Sequence, residues 1–197
     1  MILVVCTGNV CRSPMAEALL RHHLDAADFT VPVSSAGTIG WNSSGPTDHT
    51  LTALAERGVV LEGHISRRMN AGIIEPAWLV LAMTNDHADA VSNHYPDAAP
   101  RTFVLGQLIR LGEREGPRGE RTVQAWLEAV DGLRNPKRRR AQPADEIRDP
   151  LGEPLEAYQA LAATLDDLTE RLARLIAGSD SGTGRAQHAG ISQDGGS

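Results

Sequence analysis

The sequence predicts an α/β fold in which a parallel sheet carries helices on both faces. Short apolar segments rich in β-branched residues recur along the chain, helix-like segments separate them, and the spacing suits crossover connections between parallel strands. The 197 residues, 41% of them hydrophobic, suit one well-buried domain. We predict that this domain spans residues 1–177 and that a tail rich in Gly, Ser and Gln, residues 178–197, is disordered.

The chain opens with a strand, a tight loop and a helix. The run Ile2–Val5 is apolar and β-branched at three of its four positions, which is typical of a buried parallel strand. A helix is predicted over Ser13–Leu24, because Ser13 is a good N-cap, Pro14 suits the first helical position, and apolar residues follow at helical spacing. The strand therefore ends at Cys6, where the loop begins.

Strands and helices continue to alternate along the rest of the chain. Further strands are predicted at 29–34, 78–83 and 101–105, and further helices at 47–57, 85–94, 123–133 and 154–176. Residues 35–37, Ser-Ala-Gly, are interpreted as a turn. Residues 106–147 show no regular pattern outside their single helix, and we interpret them as an insertion-like segment of the domain.

Composition excludes several classes of function. The net charge of −6 argues against a nucleic-acid or anionic-membrane binder, and we interpret the basic run 137–140 as a solvated loop. Neither a membrane-spanning run nor a signal-peptide pattern is present, so we expect a cytoplasmic protein. The only cysteines, Cys6 and Cys11, are too close in sequence for a convincing structural disulfide, and at least one thiol is expected to do chemistry.

The loop that starts at Cys6 can bind a phosphate group. Five residues separate Cys6 from Arg12 between a strand and a helix, so the backbone N–H groups can curl around an anion at the positive end of the helix dipole. These donors and Arg12, whose planar fork suits phosphoryl oxygens, would stabilise a nucleophilic Cys6 thiolate. The Ser13 hydroxyl can also bond to the sulfur. The predicted phosphate-binding residues are Thr7, Gly8, Asn9, Val10, Cys11, Arg12 and Ser13.

These residues resemble the low-molecular-weight protein-tyrosine-phosphatase family, in its bacterial branch close to the protein-arginine phosphatases. The likeness covers Val4–Ala18 almost throughout and continues in order through Ser34–Gly37, Gly63–Arg67, Leu79–Met83 and Asp149-Pro150. It implies a three-layer, Rossmann-like fold with a four-stranded parallel sheet flanked by helices. It also implies that neither a metal nor a cofactor is used.

The resemblance implies hydrolysis of phosphotyrosine in a phosphorylated protein substrate through a phosphocysteine on Cys6. Arg12 would bind the phosphate, and Asp149 would act as general acid and then general base, a role that the expulsion of an alkoxide or phenoxide also requires. Cys11 would be the redox partner of Cys6, and a simply packed thiol is its alternative. The resemblance assigns the support of the phosphate loop to Asn9, Ser13, Ser35 and His64.

Substrate preference depends on the residues predicted to line the cleft, Val10, Trp41 and Leu151. Val10 is apolar and β-branched like the isoleucine of tyrosine phosphatases, whereas the arginine phosphatases carry threonine at this position. Leu151 stands where the family usually has an aromatic residue after Asp-Pro, and the neighbouring residues look more like those of the arginine-phosphatase branch. We therefore predict phosphotyrosine hydrolysis, with a protein-arginine phosphatase of the same fold as the alternative. The sequence leaves the oligomeric state open.

Two further classes of protein could carry a loop of this kind. A thioredoxin-coupled arsenate reductase shares this loop but relays its disulfide through downstream cysteines, and none follows Cys11. A non-catalytic phosphate-sensing interaction protein would not need the combination of Cys6, Arg12 and Asp149. Both are therefore less favoured than a phosphatase.

Overall fold

The computed structural model describes residues 1–41, 43–134 and 139–178. One sheet holds four parallel strands in the spatial order β2-β1-β3-β4. Their bounds are β1 Ile2–Cys6, β2 Val33–Gly37, β3 Leu79–Ala82 and β4 Thr102–Val104. The predicted four-stranded parallel sheet is confirmed.

The strands are connected by helices. Their bounds are α1 Arg12–Ala26, α2 Asp48–Ala55, α3 Ala71–Ile74, α4 Asn85–His94, α5 Leu105–Glu115, α6 Val123–Gly132 and α7 Leu155–Ala177. Short 3₁₀ turns lie at Pro96–Arg101 and Pro143–Asp145. No helix in the described part of the chain is long and apolar enough to cross a membrane.

Strand β1 divides the core into two layers, because successive side chains of a strand point to opposite faces. Leu3 and Val5 pack with residues of α3 and α4 on one face. Ile2 and Val4 pack on the other face against the larger group of helices that includes α1, α5, α6 and α7. All five residues of β1 are buried, which explains why this strand has no polar position.

The second strand lies further along the chain than its predicted position at 29–34. Residues 35–37, interpreted from sequence as a turn, form the end of β2, and Gly37 pairs with Cys6. Pairing with the buried central strand outweighs the turn preference of Ser-Ala-Gly. A Cβ on Gly37 would lie 2.4 Å from the Thr7 carbonyl oxygen, so glycine is needed where β2 meets the loop after β1.

The prediction of irregular structure after residue 106 is wrong at α5. This helix buries an apolar face made of Leu105, Leu108, Ile109 and Leu111. The two glycines of α5 lower helix propensity and obscured this pattern. A Cβ on Gly112 would lie 2.9 Å from the Trp126 ring, so the glycine allows α6 to pack closely, a packing reason invisible in sequence.

The remaining predicted elements lie close to their observed positions. The helix predicted at 85–94 matches α4, and the last helix differs from α7 by one residue at each end. Lys137 and Arg138 of the basic run, and residues 179–197 of the predicted disordered tail, lie outside the described residues. The division into one domain with an insertion-like segment stays a prediction.

Candidate active site

The loop between β1 and α1 wraps around the sulfur of Cys6. Cys6 is 2% exposed. Its Sγ lies 3.0 Å from the Ser13 hydroxyl and accepts a hydrogen bond of 3.3 Å from the backbone N–H of Asn9. Because α1 begins at Arg12, its positive end faces the same loop. An N–H donor, a hydroxyl and the positive end of a helix therefore surround the sulfur.

Asn9 is the centre of the hydrogen bonds that hold this phosphate loop, residues 6–13, in shape. Its backbone is left-handed, with φ of 59°, and its side chain is fully buried. The side-chain amide donates to the hydroxyls of Ser13 at 3.0 Å and Ser35 at 2.8 Å, and its oxygen accepts from the Arg67 backbone N–H at 3.0 Å. The side chain therefore ties the C-terminal end of the loop to β2 and to the segment after α2.

Three further side chains complete this network. His64 Nε2 lies 2.9 Å from the Asn9 carbonyl oxygen, and Ser66 donates to the Gly8 carbonyl at 2.8 Å. Glu17, on α1, accepts a 2.6 Å hydrogen bond from Ser35. The structure thus brings Asn9, Ser13, Ser35 and His64 together and adds Glu17 and Ser66, which sequence reasoning did not assign to the loop.

Arg12 links the phosphate loop to Asp149. Its Nη2 donates to Asp149 Oδ2 at 2.5 Å and to the Thr7 hydroxyl at 3.4 Å, and its Nη1 donates to the Ile147 carbonyl at 3.3 Å. The guanidinium is buried, whereas the Asp149 side chain is 41% exposed. Arg12 Nε is buried and has no acceptor among the described residues. Burying an N–H donor without an acceptor lowers the stability of the fold, and a phosphoryl oxygen is a suitable acceptor for it.

A small cavity of about 60 Å³ opens above the sulfur, consistent with space for one small anion. It is lined by Arg12 and Asp149 together with the predicted cleft residues Val10, Trp41 and Leu151. Trp41 packs over the loop, because a Cβ on Gly8 would lie 3.4 Å from its ring. Trp41 and Leu151 are each 43% exposed, so the cavity mouth has two apolar walls.

The second thiol points to different partners. Cys11 Sγ lies 3.7 Å from both the Thr47 hydroxyl and the Tyr158 hydroxyl, and both cysteines are free. Burial raises the pKa of the Cys11 thiol above its ordinary value. Cys11 is therefore a packed thiol in this conformation, and its redox partnership with Cys6 stays a prediction.

His87 was missed by sequence reasoning. Its Nε2 lies 2.9 Å from the Thr7 hydroxyl and its Nδ1 lies 2.8 Å from the Thr84 hydroxyl. Burial, and then the charge of Arg12, lower the pKa of His87 to about 4, so the ring is neutral at pH 7. His87 could have been found from its place after β3. This strand lies beside β1, and residues after neighbouring parallel strands meet at one edge of a sheet.

Comparison with known proteins agrees with this geometry. Residues 1–115 match the family model described as low molecular weight phosphotyrosine protein phosphatase. The chain belongs to this family. It is 34% identical to a protein-arginine-phosphatase of Geobacillus stearothermophilus over 89% of this chain and 95% of that protein. It is 39% identical to the low molecular weight protein-tyrosine-phosphatase Etp of Escherichia coli K12 over 67% of this chain and 85% of that protein.

Solved structures of the low molecular weight phosphatases share the fold. The YwlE arginine phosphatase from Geobacillus stearothermophilus superposes with a TM-score of 0.64 at 32% identity, covering 88% of this chain and 90% of that one. The family includes enzymes named for two substrates, phosphotyrosine and phosphoarginine, so membership alone does not decide between them.

Proposed function

We propose that this chain hydrolyses phosphotyrosine in proteins through a phosphocysteine intermediate on Cys6. The observation that carries the proposal is the arrangement around Arg12. This one guanidinium lies in the loop that encloses the sulfur, has a buried donor without an acceptor in the described part of the chain, and bonds to Asp149. Nucleophile, anion clamp and acid therefore meet around a single phosphate-sized space.

The first step forms a bond between Cys6 Sγ and phosphorus while the bond from phosphorus to the leaving oxygen breaks. The phosphoryl oxygens would replace Asp149 on Arg12, and the Asp149 carboxyl would give its proton to the leaving oxygen. Loop N–H groups and the Arg12 fork are fixed before the substrate arrives, so they stabilise charge on the transferring group without reorganisation.

The second step releases phosphate. Asp149, now ionised, takes a proton from a water molecule that attacks phosphorus, and the bond between sulfur and phosphorus breaks. The Ser13 hydroxyl, 3.0 Å from the sulfur, can donate to the departing thiolate. The pair of steps returns Cys6 and Asp149 to their starting states and consumes one water.

Two cleft residues favour an aromatic phosphate ester. Val10 presents an apolar, β-branched side chain to the cavity, and the partly exposed Trp41 ring offers an aromatic wall at its mouth. A phenyl ring gains from apolar contact and from stacking on such a surface. A guanidinium group would find no hydroxyl acceptor at position 10.

Phosphoarginine is the second candidate substrate. Two relatives named protein-arginine-phosphatase each align with 89% of this chain. The exposed Leu151 at the cleft mouth supplies no aromatic ring on that side. The Asp149 carboxylate already pairs with one guanidinium, that of Arg12, and a substrate guanidinium could take the same partner.

Turnover of a phosphotyrosine peptide, a phosphoarginine peptide and p-nitrophenyl phosphate tests the proposal. We expect the wild type to prefer the phosphotyrosine peptide, and Cys6→Ser to lose turnover with all three while still binding inorganic phosphate. Cys11→Ser, which keeps the Cys6 nucleophile, is the matched control and should retain more activity than Cys6→Ser with all three substrates. Turnover by Cys6→Ser at the wild-type rate would refute the mechanism, and a preference for phosphoarginine would favour the second candidate.

A further inference from the structure

The first turn of α4 touches both loops of the site. The acid loop, residues 139–149, ends at Asp149 and is far in sequence from the phosphate loop. Thr84, Asn85 and His87 follow directly after β3 and lie between the two loops. Their contacts join the acid loop and the phosphate loop to the same end of one helix.

Asn85 binds the acid loop at two places. Its side-chain oxygen accepts from the Ala141 backbone N–H at 2.8 Å, and its amide donates to the Ala141 carbonyl at 3.1 Å. The same amide donates to Glu146 Oε1 at 2.6 Å, and the Asn85 backbone N–H donates to that oxygen at 2.8 Å. Asn85 is buried, and every polar group of its side chain is used.

These contacts lie close to Asp149 in the chain. Glu146 sits at the N-terminal end of α4, where the helix dipole stabilises a carboxylate. The next residue, Ile147, donates its backbone N–H to the Met83 carbonyl at 2.8 Å, and its own carbonyl accepts from Arg12. The acid loop is therefore fixed to the end of β3 two residues before Asp149.

His87 acts on the other loop. It lies two residues further along α4 and bonds to the hydroxyl of Thr7, which in turn accepts a hydrogen bond from Arg12. Thr84 holds the opposite nitrogen of the ring. The hydroxyls at both ends can donate or accept, so either tautomer of the neutral ring completes the chain of hydrogen bonds.

We propose that Asn85 and His87 are positioning residues with separate targets, Asn85 for the general acid and His87 for the phosphate clamp. The inference rests on the proposed phosphatase function. One helix turn would thus set the distance between acid and nucleophile, although neither Asn85 nor His87 touches the reacting atoms. Because misplacement of a catalytic group by about 1 Å can cost about a hundredfold in rate, these contacts should be visible in kinetics.

Leaving-group dependence tests the role of Asn85. With Asn85→Ala, we expect the ratio of kcat/KM for p-nitrophenyl phosphate to that for phenyl phosphate to rise about tenfold, because only the poor leaving group needs the acid. Glu146→Ala should show part of this rise, and Glu146→Gln should keep the wild-type ratio. Because the two residues share a hydrogen bond, the rise in the Asn85→Ala/Glu146→Ala pair should be smaller than the product of the two single rises. The matched control is Asn93→Ala, on the exposed part of α4.

Phosphate affinity tests the role of His87. With His87→Leu, we expect the Kd of inorganic phosphate, measured by calorimetry, to rise about threefold to tenfold, because the hydrogen bond to Thr7, itself a partner of Arg12, is lost. The leaving-group ratio should stay at the wild-type value. His87→Gln should restore part of the affinity, because its amide can reach Thr7. The exposed His94, changed to Leu, is the matched control.

The outcomes separate this inference from the proposed function. The ratio of kcat/KM for p-nitrophenyl phosphate to that for phenyl phosphate does not depend on the folded fraction. Partial misfolding of a variant therefore cannot imitate the effect expected for Asn85→Ala. An unchanged ratio in Asn85→Ala, or a changed ratio in His87→Leu, would overturn the separate roles while leaving the phosphatase intact. A wild type that hydrolyses neither ester would contradict the proposed function, and unchanged phosphate affinity in His87→Leu would then still refute the role of His87.

Discussion

The phosphate loop and the acid loop are built in opposite ways. The phosphate loop is buried and joins consecutive elements, and the partners of the Cys6 sulfur, Asn9 and Ser13, belong to the loop itself. The acid loop is partly exposed, and its anchors come from residues far away in sequence, such as Asn85 and Arg110. The hydrogen-bond partners of the nucleophile's sulfur thus come from neighbouring sequence, and distant residues such as Ser35 and His64 brace the loop around it. The acid, in contrast, is placed by tertiary contacts.

The anchoring of the acid loop extends to α5. Arg110 makes two parallel hydrogen bonds to Asp145, at 2.9 and 2.7 Å. A Cβ on Gly106 would lie 2.5 Å from the Asp145 carbonyl oxygen, so α5 and the acid loop approach each other closely. This helix, which the sequence pattern did not predict, therefore supports the loop that carries Asp149.

The largest expected effect comes from removing the acid. For Asp149→Ala we expect kcat for phenyl phosphate to fall on the order of a hundredfold or more, and kcat for p-nitrophenyl phosphate to fall less, because a good leaving group departs without a proton. Steady-state kinetics with both esters measures this. The matched control is Asp97→Ala, at an exposed position outside the lining of the cavity, which should keep the wild-type ratio of the two rates. Equal losses for both esters in Asp149→Ala would contradict a role as acid.

The next largest effect is a pH dependence of the free energy of unfolding, caused by His87, which contacts the phosphate loop. The pKa of His87 is lowered to about 4 in the fold, first by burial and then by Arg12, with Asp149, Asp86 and Glu146 acting in the opposite direction. The unfolded chain binds this proton near the ordinary pKa of about 6.5, so the free energy of unfolding should decrease as pH falls. Between pH 7 and 5 we expect a loss of about 2 kcal/mol from this group.

Urea unfolding at the two pH values measures this loss. In His87→Gln the dependence on pH should flatten by about that amount, because the substituted side chain does not titrate. The control is His94→Gln at the exposed end of α4, which should keep the wild-type slope. A wild-type slope in His87→Gln would show that the buried His87 ring does not cause the pH dependence of the free energy of unfolding.

The smallest expected effect is a change in substrate preference when a residue of the phosphate loop, or one just after the acid loop, is substituted. Val10→Thr should shift the ratio of phosphoarginine to phosphotyrosine turnover by about tenfold towards phosphoarginine, because the new hydroxyl can accept from a guanidinium. Leu151→Tyr, in the residues after the acid loop, should move the ratio the other way by adding an aromatic wall. An unchanged ratio in both variants would show that the mouth of the cleft does not select the substrate.

The sequence by itself determined the parts of this protein in which residues close in the chain act together. The run from Ile2 to Ser13 predicts a buried strand, a cysteine in an anion-binding loop and a helix, because each step follows from neighbouring residues. The alternation of elements also predicted the parallel sheet. These features need no knowledge of distant contacts.

Only the tertiary structure decided what depends on residues far apart. The end of β2 follows from pairing with β1, α5 is revealed by close packing at Gly112, and His87 gains its role because Thr7 lies at the neighbouring strand end. Each of these involves a hydrogen bond or a close approach between segments separated by more than ten residues. Local patterns carry no record of such contacts, which form only when the chain folds.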